Sequence, residues 1–242
     1  MGLRGWIGSD RRRWEIRGIG WQHRGWKEFM ARGSAWILRW DCEILWTSMF
    51  AVQRSSFFDF QQALQLARHL FRLFALSLAL PEEFFDSLMT HPGAIARLIR
   101  YPPSTNPKPL ADVGEEEIGL GAHTDYECFT LLLQDSNPGL EVLSPDGHWI
   151  SAEPVEGGIV VNVADFLMRW TNGVYKSTVH RVVNRTAKER YSVPFFFSIN
   201  YDESVETLPS CVSEGNPSKY PPITAGRYVL DRLALTVQTG KY

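Results

Sequence analysis

Cysteine is scarce in this sequence, and the cysteines that are present do not form a motif. The chain has three, Cys42, Cys128 and Cys211, and no Cys-x-x-Cys pair. Cysteines scattered in this way argue against a disulfide framework and favour a reducing compartment. We therefore expect a cytoplasmic protein.

Long apolar runs and a strong bias of charge are also missing. The most apolar stretch, residues 66–80, is interrupted by Arg68, His69 and Arg72, so it does not reach the length of a transmembrane helix. The first residues lack the apolar core of a signal peptide. A net charge of −2 gives no general attraction to nucleic acid or to an anionic membrane. We expect neither as a partner and predict a monomer that binds a small molecule.

The first 54 residues lack a sustained helical or strand pattern. Seven of the nine Trp lie in this segment, among many Arg and Gly residues. One hypothesis is a basic, aromatic arm that stacks on single-stranded nucleic acid. The interpretation that we favour is an atypical, poorly packed segment.

Regular patterns begin after residue 56. Residues 57–80 have polar side chains on one side at spacings of three and four, which predicts a largely buried helix. Pro81 and the two acidic residues after it favour a second, short helix. Thr224 is placed to cap a last helix over 225–238. Between them the pattern predicts strands at 94–101, 121–133, 140–143, 148–150, 159–163, 177–183 and from 190 onward. Short strands separated by turn residues indicate a sandwich or barrel.

The motif His123-Thr124-Asp125 carries the strongest chemical signal. In an extended strand, side chains two residues apart point the same way, so His123 and Asp125 are expected to share a face. A second imidazole, His180, follows in another strand-like run. Two histidines and one carboxylate on one face of an octahedral ion leave its other positions open, which is typical of non-haem Fe(II) oxygenases. A His-x-Asp motif by itself is more often surface chemistry.

A basic residue and a hydroxyl follow the second histidine. Arg190 and Ser192 share a strand face, where the guanidinium suits a carboxylate and the hydroxyl adds a hydrogen bond. The other histidines, His69, His91 and His148, are interpreted as parts of a polar stripe, a loop and an exposed turn.

Residues 76–201 resemble the isopenicillin N synthase-like family of iron- and 2-oxoglutarate-dependent dioxygenases. The matching segments are LPEEFF at 80–85, RYPP at 100–103, GAHTD at 121–125, GLEV at 139–142, GGIVVNV at 157–163, WTNG at 170–173, STVHRV at 177–182 and RYSVPFF at 190–196. Their order along the chain makes the resemblance specific. It implies a mainly β fold with flanking α-helices, built on a double-stranded β-helix, which is the jelly roll of cupin-like proteins.

The resemblance also implies roles for individual residues. His123, Asp125 and His180 would hold Fe(II), and 2-oxoglutarate would chelate the metal through its keto acid end. Arg190 and Ser192 would bind the far carboxylate of the co-substrate. Tyr101 would face the active site and bind co-substrate or substrate, although an ordinary barrel aromatic is an equal interpretation. Glu127 shares the strand parity of the motif, but the resemblance assigns Asp125 as the carboxylate ligand.

The expected reaction is the oxidation of a small organic molecule with O2, releasing succinate and CO2. Hydroxylation, desaturation and ring closure are all outcomes of such enzymes, and secondary metabolism is one setting that the resemblance allows. We divide the chain into an atypical segment (1–54), supporting helices (55–92), the dioxygenase jelly roll (93–204), and a C-terminal loop and helix (205–242). Members of the family carry an N-terminal strand and helices that support the barrel, and 1–54 lacks that pattern.

Three alternatives stay open at this stage. Some relatives keep the Arg-x-Ser pair and do not consume 2-oxoglutarate, so the pair does not prove the co-substrate. A metal-dependent hydrolase on a cupin-like barrel would share the three ligands and release no succinate. A truncated, catalytically impaired binding protein is the third, because the first fifty residues are aberrant.

Overall fold

The computed structural model describes residues 3–7, 12–18, 35–40, 56–107 and 118–239, with side chains for 60–107 and 118–237. The strands are β1 (Leu3–Ile7), β2 (Arg12–Gly18), β3 (Ala35–Trp40), β4 (Ala94–Ala96), β5 (Ile99–Tyr101), β6 (Ile118–His123), β7 (Phe129–Gln134), β8 (Leu140–Leu143), β9 (Trp149–Ser151), β10 (Gly158–Val163), β11 (His180–Val183), β12 (Arg190–Phe197), β13 (Ser204–Val205) and β14 (Ile223–Thr224). The helices are α1 (Ser56–Ser77), α2 (Asp165–Trp170) and α3 (Ala225–Thr239), with 3₁₀ turns at Asp86–Met89 and Pro209–Cys211.

Two antiparallel sheets form the body of the protein. The main sheet has the order β1-β2-β3-β10-β7-β12-β4, with β5 also paired to β12, and the small sheet has the order β6-β11-β8-β9. Apolar side chains from both sheets meet in one cluster, including Tyr101 and Val160 of the main sheet and Val142 and Val182 of the small one. The sheets therefore enclose a lumen, and the predicted jelly roll with flanking helices is confirmed.

The outer face of the main sheet is covered by α1. Alternate strand residues separate into two cores: Leu131 and Val161 belong to the cluster under α1, whereas Leu132 and Val160 face the lumen. Phe71 of α1 packs 5.3 Å from the ring of Phe129. Burial of such a phenylalanine stabilises the folded protein by roughly 2 kcal/mol. The apolar face of α1, opposite the polar stripe predicted on 57–80, therefore anchors the helix to the sheet.

Two predicted strands are each divided in the structure. The stretch 94–101 forms β4 and β5, and 121–133 forms β6 and β7 with a turn between them. In that turn the carbonyls of Asp125 and Glu127 accept hydrogen bonds from the first backbone N–H groups of α2, so neither pairs with a strand. The short helix expected at Pro81 is a turn followed by the 3₁₀ helix. The predicted cap is present, since Thr224 Oγ1 accepts a hydrogen bond from the N–H of Arg227.

Residues 1–54 contain three strands, although their sequence shows no sustained strand or helical pattern. β3 pairs antiparallel with β10, and β2 and β1 extend the sheet outward from it. This pairing uses backbone N–H and C=O groups along a sheet edge and does not require alternating side chains, so residue patterns gave no signal. The nucleic-acid hypothesis depended on the Trp side chains of this segment, and these are not among the side chains that the structure describes.

One tyrosine connects three separate segments near the start of α3. The Tyr201 hydroxyl donates a hydrogen bond to Glu127 Oε1 at 2.7 Å. A Cβ atom at Gly93 would overlap the Tyr201 ring, and one at Gly226 would meet Cβ and the carbonyl oxygen of Tyr201 at 3.0 Å. The two glycines therefore make room for the phenol that holds Glu127.

A buried carboxylate links two arginines on the small sheet. Glu141 of β8 is 2% exposed and lies directly opposite Arg181 of β11. Its Oε2 accepts a hydrogen bond from Arg181 Nε at 2.7 Å, and its Oε1 accepts one from Arg185 Nη2 at 2.8 Å. Arg181 also lies over the ring of Trp149. The Glu141 carboxylate thus pairs with two largely buried cations.

The substitution Glu141→Gln should lower the free energy of unfolding by about 3 kcal/mol, because it removes a buried negative charge that contacts both Arg181 and Arg185. Urea denaturation of the purified protein measures this change. Glu153→Gln, on the exposed end of the same sheet, is the matched control and should change stability by less than about 0.5 kcal/mol. Equal stabilities of the two variants would contradict the role given to Glu141.

Candidate metal centre

Three side chains converge at one end of the lumen. His123 ends β6 and His180 begins β11, and the two residues are directly paired across these strands. Asp125 follows in the turn toward β7, where Asp165 of α2 donates its backbone N–H to the Asp125 carbonyl at 2.9 Å. The strand pairing places the imidazoles, and the start of α2 places the carboxylate.

The geometry suits a divalent metal ion. Asp125 Oδ1 lies 3.7 Å from His123 Nε2 and 3.6 Å from His180 Nε2. In the part of the chain that the structure describes, these three side chains form the one group of His, Cys, Asp or Glu residues whose potential ligand atoms all lie within 4.8 Å. Two nitrogens and one carboxylate oxygen match the facial donor set of a non-haem iron site.

Backbone carbonyls fix the orientation of both imidazoles. His123 Nδ1 lies 2.7 Å from the Gly121 oxygen, and His180 Nδ1 lies 3.1 Å from the Thr178 oxygen. A carbonyl only accepts hydrogen bonds, so Nδ1 carries the proton and Nε2 presents its lone pair to the cluster. Burial and the neighbouring His180 lower the pKa of His123, which favours the neutral form that a metal ligand requires.

The carboxylate is held by two residues that sequence reasoning missed. Asp125 Oδ2 accepts hydrogen bonds from Thr130 Oγ1 at 2.6 Å and from Asn162 Nδ2 at 2.9 Å. Both donors point into the lumen from adjacent strands, where Thr130 of β7 is paired with Asn162 of β10. These bonds occupy Oδ2 and leave Oδ1 facing the imidazoles. Strand parity in 129–134 and 158–163 would have been the signal to find them.

A buried cation lies farther along the same lumen. Arg190 is fully buried and Ser192 is 2% exposed. Phe195 and Phe197 of β12 pack in the core under α1, so the alternate residues Arg190 and Ser192 lie on the inner face of this strand. Arg190 Nη2 donates a hydrogen bond to Gln134 Oε1 at 2.8 Å, and the guanidinium lies 5.1 Å from the centre of the Tyr101 ring. Gln134, another residue that sequence reasoning missed, is itself fixed by a hydrogen bond to the carbonyl of Ala152.

The guanidinium of Arg190 has unused donor groups. Within the described residues, its Nε and Nη1 atoms are buried and have no hydrogen-bond partner. Burial lowers the pKa of Arg190, because the charged form is poorly solvated there. A buried cation with free donors is costly unless an anion satisfies it. The chemistry of this position therefore fits a ligand carboxylate.

Apolar residues separate the cation from the three-residue cluster. Along β7, Thr130 lies at the level of Asp125 and Gln134 lies at the level of Ser192. These two levels are four residues, or about 13 Å of strand, apart. Between them Leu132 is paired with Val160 on one side and Pro194 on the other. The lumen thus offers a ligand an apolar middle between two polar ends.

The remaining sequence candidates lie elsewhere. His69 Nδ1 contacts the Gln65 carbonyl, His91 contacts Asp202 on the surface, and His148 is exposed. Glu127 faces Tyr201 and does not belong to the cluster. Burial raises the pKa of the Glu127 carboxyl, because the charged form is poorly solvated there.

Comparison with known proteins places these features in a family. The family model described as the 2OG-Fe(II) oxygenase superfamily matches residues 92–199. The 2-oxoglutarate-Fe(II) type oxidoreductase ppzC of Metarhizium majus is 45% identical over 176 residues, which cover 72% of this chain and 47% of that protein. The oxidoreductase hxnY of Emericella nidulans is 47% identical over 162 residues, covering 66% of this chain and 45% of hxnY. The chain spans about half the length of the curated relatives it matches.

Solved structures give the same family. A full-length Neurospora crassa protein, solved in complex with alpha-KG, superposes with a TM-score of 0.68 at 28% identity, covering 92% of this chain and 73% of that one. A putative 2OG-Fe(II) oxygenase family protein of Caulobacter crescentus also gives a TM-score of 0.68, at 33% identity, covering 95% of this chain and 72% of the other. With its jelly roll and its His-Asp-His cluster, the chain belongs to the 2OG-Fe(II) oxygenase superfamily.

Proposed function

We propose that this protein is an Fe(II)- and 2-oxoglutarate-dependent dioxygenase that oxidises a small organic molecule. The observation that carries the proposal is the buried guanidinium of Arg190, with free donor groups, in the same lumen as the His123, Asp125 and His180 cluster. A ligand with a carboxylate at one end and metal-chelating oxygens at the other fits both ends at once. When bound, Fe(II), 2-oxoglutarate and O2 together supply the oxidising chemistry, with release of succinate and CO2.

The residues of the chain have separate tasks in this proposal. His123, Asp125 and His180 hold the metal, and the Nδ1 and Oδ2 hydrogen bonds keep their ligand atoms aimed at one point. Arg190 and Ser192 bind the far carboxylate of the co-substrate. Tyr101 lies against the guanidinium and keeps it in place.

Apolar lumen residues complete the co-substrate site. Leu132, Val160 and Pro194 shield the middle of the co-substrate from water, which strengthens the ionic contact with Arg190. The site therefore combines one metal end, one cationic end and a dry passage between them.

The names of relatives support a small organic substrate. They include a homoarginine-6-hydroxylase of Arabidopsis thaliana and the clavatol oxidase claD of Penicillium crustosum. The Neurospora crassa protein has been solved with thymine and with 5-formyluracil. These molecules share no scaffold, so the substrate is proposed only as a class, a small organic molecule. Hydroxylation, desaturation and ring closure are all included as outcomes of the reaction. A setting in secondary metabolism is part of it.

The remaining features of the proposal concern the whole chain. Within the described residues no helix has the length and apolar character needed to cross a lipid bilayer. Cys128 and Cys211 are buried free thiols, which supports a reducing, cytoplasmic setting. We propose a monomer organised as segments 1–54, 55–92, 93–204 and 205–242, in which the third carries the His-Asp-His cluster together with Arg190.

Anaerobic titration of the purified protein with Fe(II) and 2-oxoglutarate tests the proposal directly. A visible metal-to-ligand charge-transfer band that needs both components is the expected result. In turnover, succinate should form in proportion to oxidised product. Binding of Fe(II) without the band or without succinate would leave an oxidase that does not use 2-oxoglutarate, or a hydrolase.

Each of the variants His123→Ala, Asp125→Ala and His180→Ala should abolish Fe(II) binding or turnover, because three ligands leave no redundancy. The anaerobic titration measures the loss. His69→Ala, His91→Ala and His148→Ala are controls of the same chemical type and should bind iron like the parent protein. Full activity in any of the first three would remove that residue from the site.

Thr130→Val should weaken Fe(II) binding by about 10- to 100-fold, because it frees Asp125 Oδ2 from one of its two hydrogen bonds. Thr207→Val is a matched control, since the Thr207 hydroxyl accepts a hydrogen bond from the Ser218 hydroxyl at the surface. The control should keep the parent affinity for Fe(II) in the same titration. Equal affinities of the two variants would show that Thr130 does not support the ligand.

Arg190→Lys should raise the 2-oxoglutarate concentration needed for half-maximal turnover while iron affinity stays unchanged, because lysine keeps the charge and loses the planar fork. Ser192→Ala should have a milder effect of about 1.5–3 kcal/mol, the value of one hydrogen bond to a charged group. Succinate formation at varied 2-oxoglutarate concentration measures both. An unchanged requirement in both variants would contradict the co-substrate assignment.

A further inference from the structure

The turn that carries Asp125 has a second face, directed away from the cluster. Thr124 and Tyr126 flank Asp125 in the sequence, and both contact other elements. Thr124 Oγ1 donates a hydrogen bond to Asp165 Oδ2 at 3.1 Å. The Tyr126 hydroxyl shares a hydrogen bond with the Thr236 hydroxyl of α3. The metal turn (residues 124–126) is thus held on the side away from the cluster, by α2 through Thr124 and by α3 through Tyr126.

Arg232 of α3 contacts both of these supports. Its Nη2 lies 3.2 Å from Asp165 Oδ2, and its guanidinium lies 5.1 Å from the centre of the Tyr126 ring. Asp165 is buried, so the ion pair is shielded from water on the carboxylate side. The backbone N–H of the same Asp165 donates to the Asp125 carbonyl. Arg232 is therefore two contacts away from the backbone carbonyl of Asp125, the proposed metal ligand.

The exposure of its side chains indicates that the second half of α3 is held in place by these polar contacts. Arg232 and Thr236 are one turn apart and lie on the face that meets the metal turn. The apolar residues Leu233, Leu235 and Val237 of the same half are instead 48%, 51% and 68% exposed. A surface helix normally buries its apolar face and exposes its polar one. Here polar side chains face inward, so among the residues whose side chains the structure describes, polar contacts hold this half of the helix against the turn.

We infer that Arg232 is a positioning residue for the metal centre. Its ion pair with Asp165 and its contact with the Tyr126 ring fix the turn from 124 to 126, so that Asp125 Oδ1 stays aimed at the two imidazoles. The inference rests on the proposed function, because it gives a role to a residue that lies behind that metal site. Residues that hydrogen-bond a metal ligand directly change metal affinity by about 10- to 100-fold when replaced. Arg232 acts one contact farther out, so the lower end of that range is expected.

The test compares two Arg→Gln variants on the same helix. Arg232→Gln removes the ion pair to Asp165 and keeps an uncharged polar side chain over Tyr126. Arg227→Gln is the control, since Arg227 pairs with Asp231 on the exposed side, where their side chains are 70% and 46% accessible. Co(II) titration of metal-free protein, followed by visible absorption, gives the affinity and reports the coordination geometry. Thermal unfolding of the metal-free variants separates metal affinity from stability.

Arg232→Gln should bind Co(II) about tenfold more weakly than the parent, with an altered absorption spectrum, while Arg227→Gln should match the parent in both. Arg232→Lys should recover most of the affinity, because the ammonium group still pairs with Asp165. Thr236→Val, which removes only the contact with Tyr126, should weaken binding less than Arg232→Gln.

Two outcomes would overturn the inference and leave the proposed function standing. One is parent-like affinity and spectrum in Arg232→Gln. The other is equal weakening in Arg232→Gln and Arg227→Gln, which would indicate a general effect of α3 stability. If the parent protein itself does not bind Co(II), the proposed function fails, and this inference fails with it.

Discussion

The fixed orientation of one carboxylate is the constraint on which the site depends. Thr130 and Asn162 of the main sheet hold Oδ2 of Asp125, and α2 holds its backbone carbonyl. The two imidazoles that face Oδ1 come instead from the small sheet. Neither sheet therefore contains the whole cluster, and the metal centre forms only when the two sheets close around the lumen.

The lumen separates its polar groups by chemical kind. Two imidazoles and one carboxylate lie at one end, and the Arg190 cation lies at the other, with apolar side chains from both sheets between them. The cation is expensive to bury because two of its nitrogen atoms lack partners in the described residues. The buried guanidinium is preorganised for an anion, since a donor that is already desolvated needs no rearrangement when the ligand binds.

The two-residue period of a strand predicted a sandwich or barrel and the shared face of Arg190 and Ser192, whereas the jelly roll was implied by the family resemblance. His123 and Asp125 converge for a different reason, since β6 ends at His123 and the start of α2 places the carboxylate. The hydrogen bonds that decide this join residues far apart in the sequence. The support from Arg232 and the pairing of β3 with β10 are equally non-local, and no short pattern encodes them.

The position of the Tyr201 ring restricts residues that lie outside the site. Its ring occupies the space that a side chain at Gly93 would need, and its hydroxyl holds Glu127, two residues beyond Asp125. A single methyl group added at Gly93 would displace the ring, and the displacement would reach the turn through Glu127. Substitutions of Gly93 should therefore be rare among natural sequences. Gly93 contacts none of the three proposed ligands, and it lies just before β4, whereas Asp125 lies between β6 and β7.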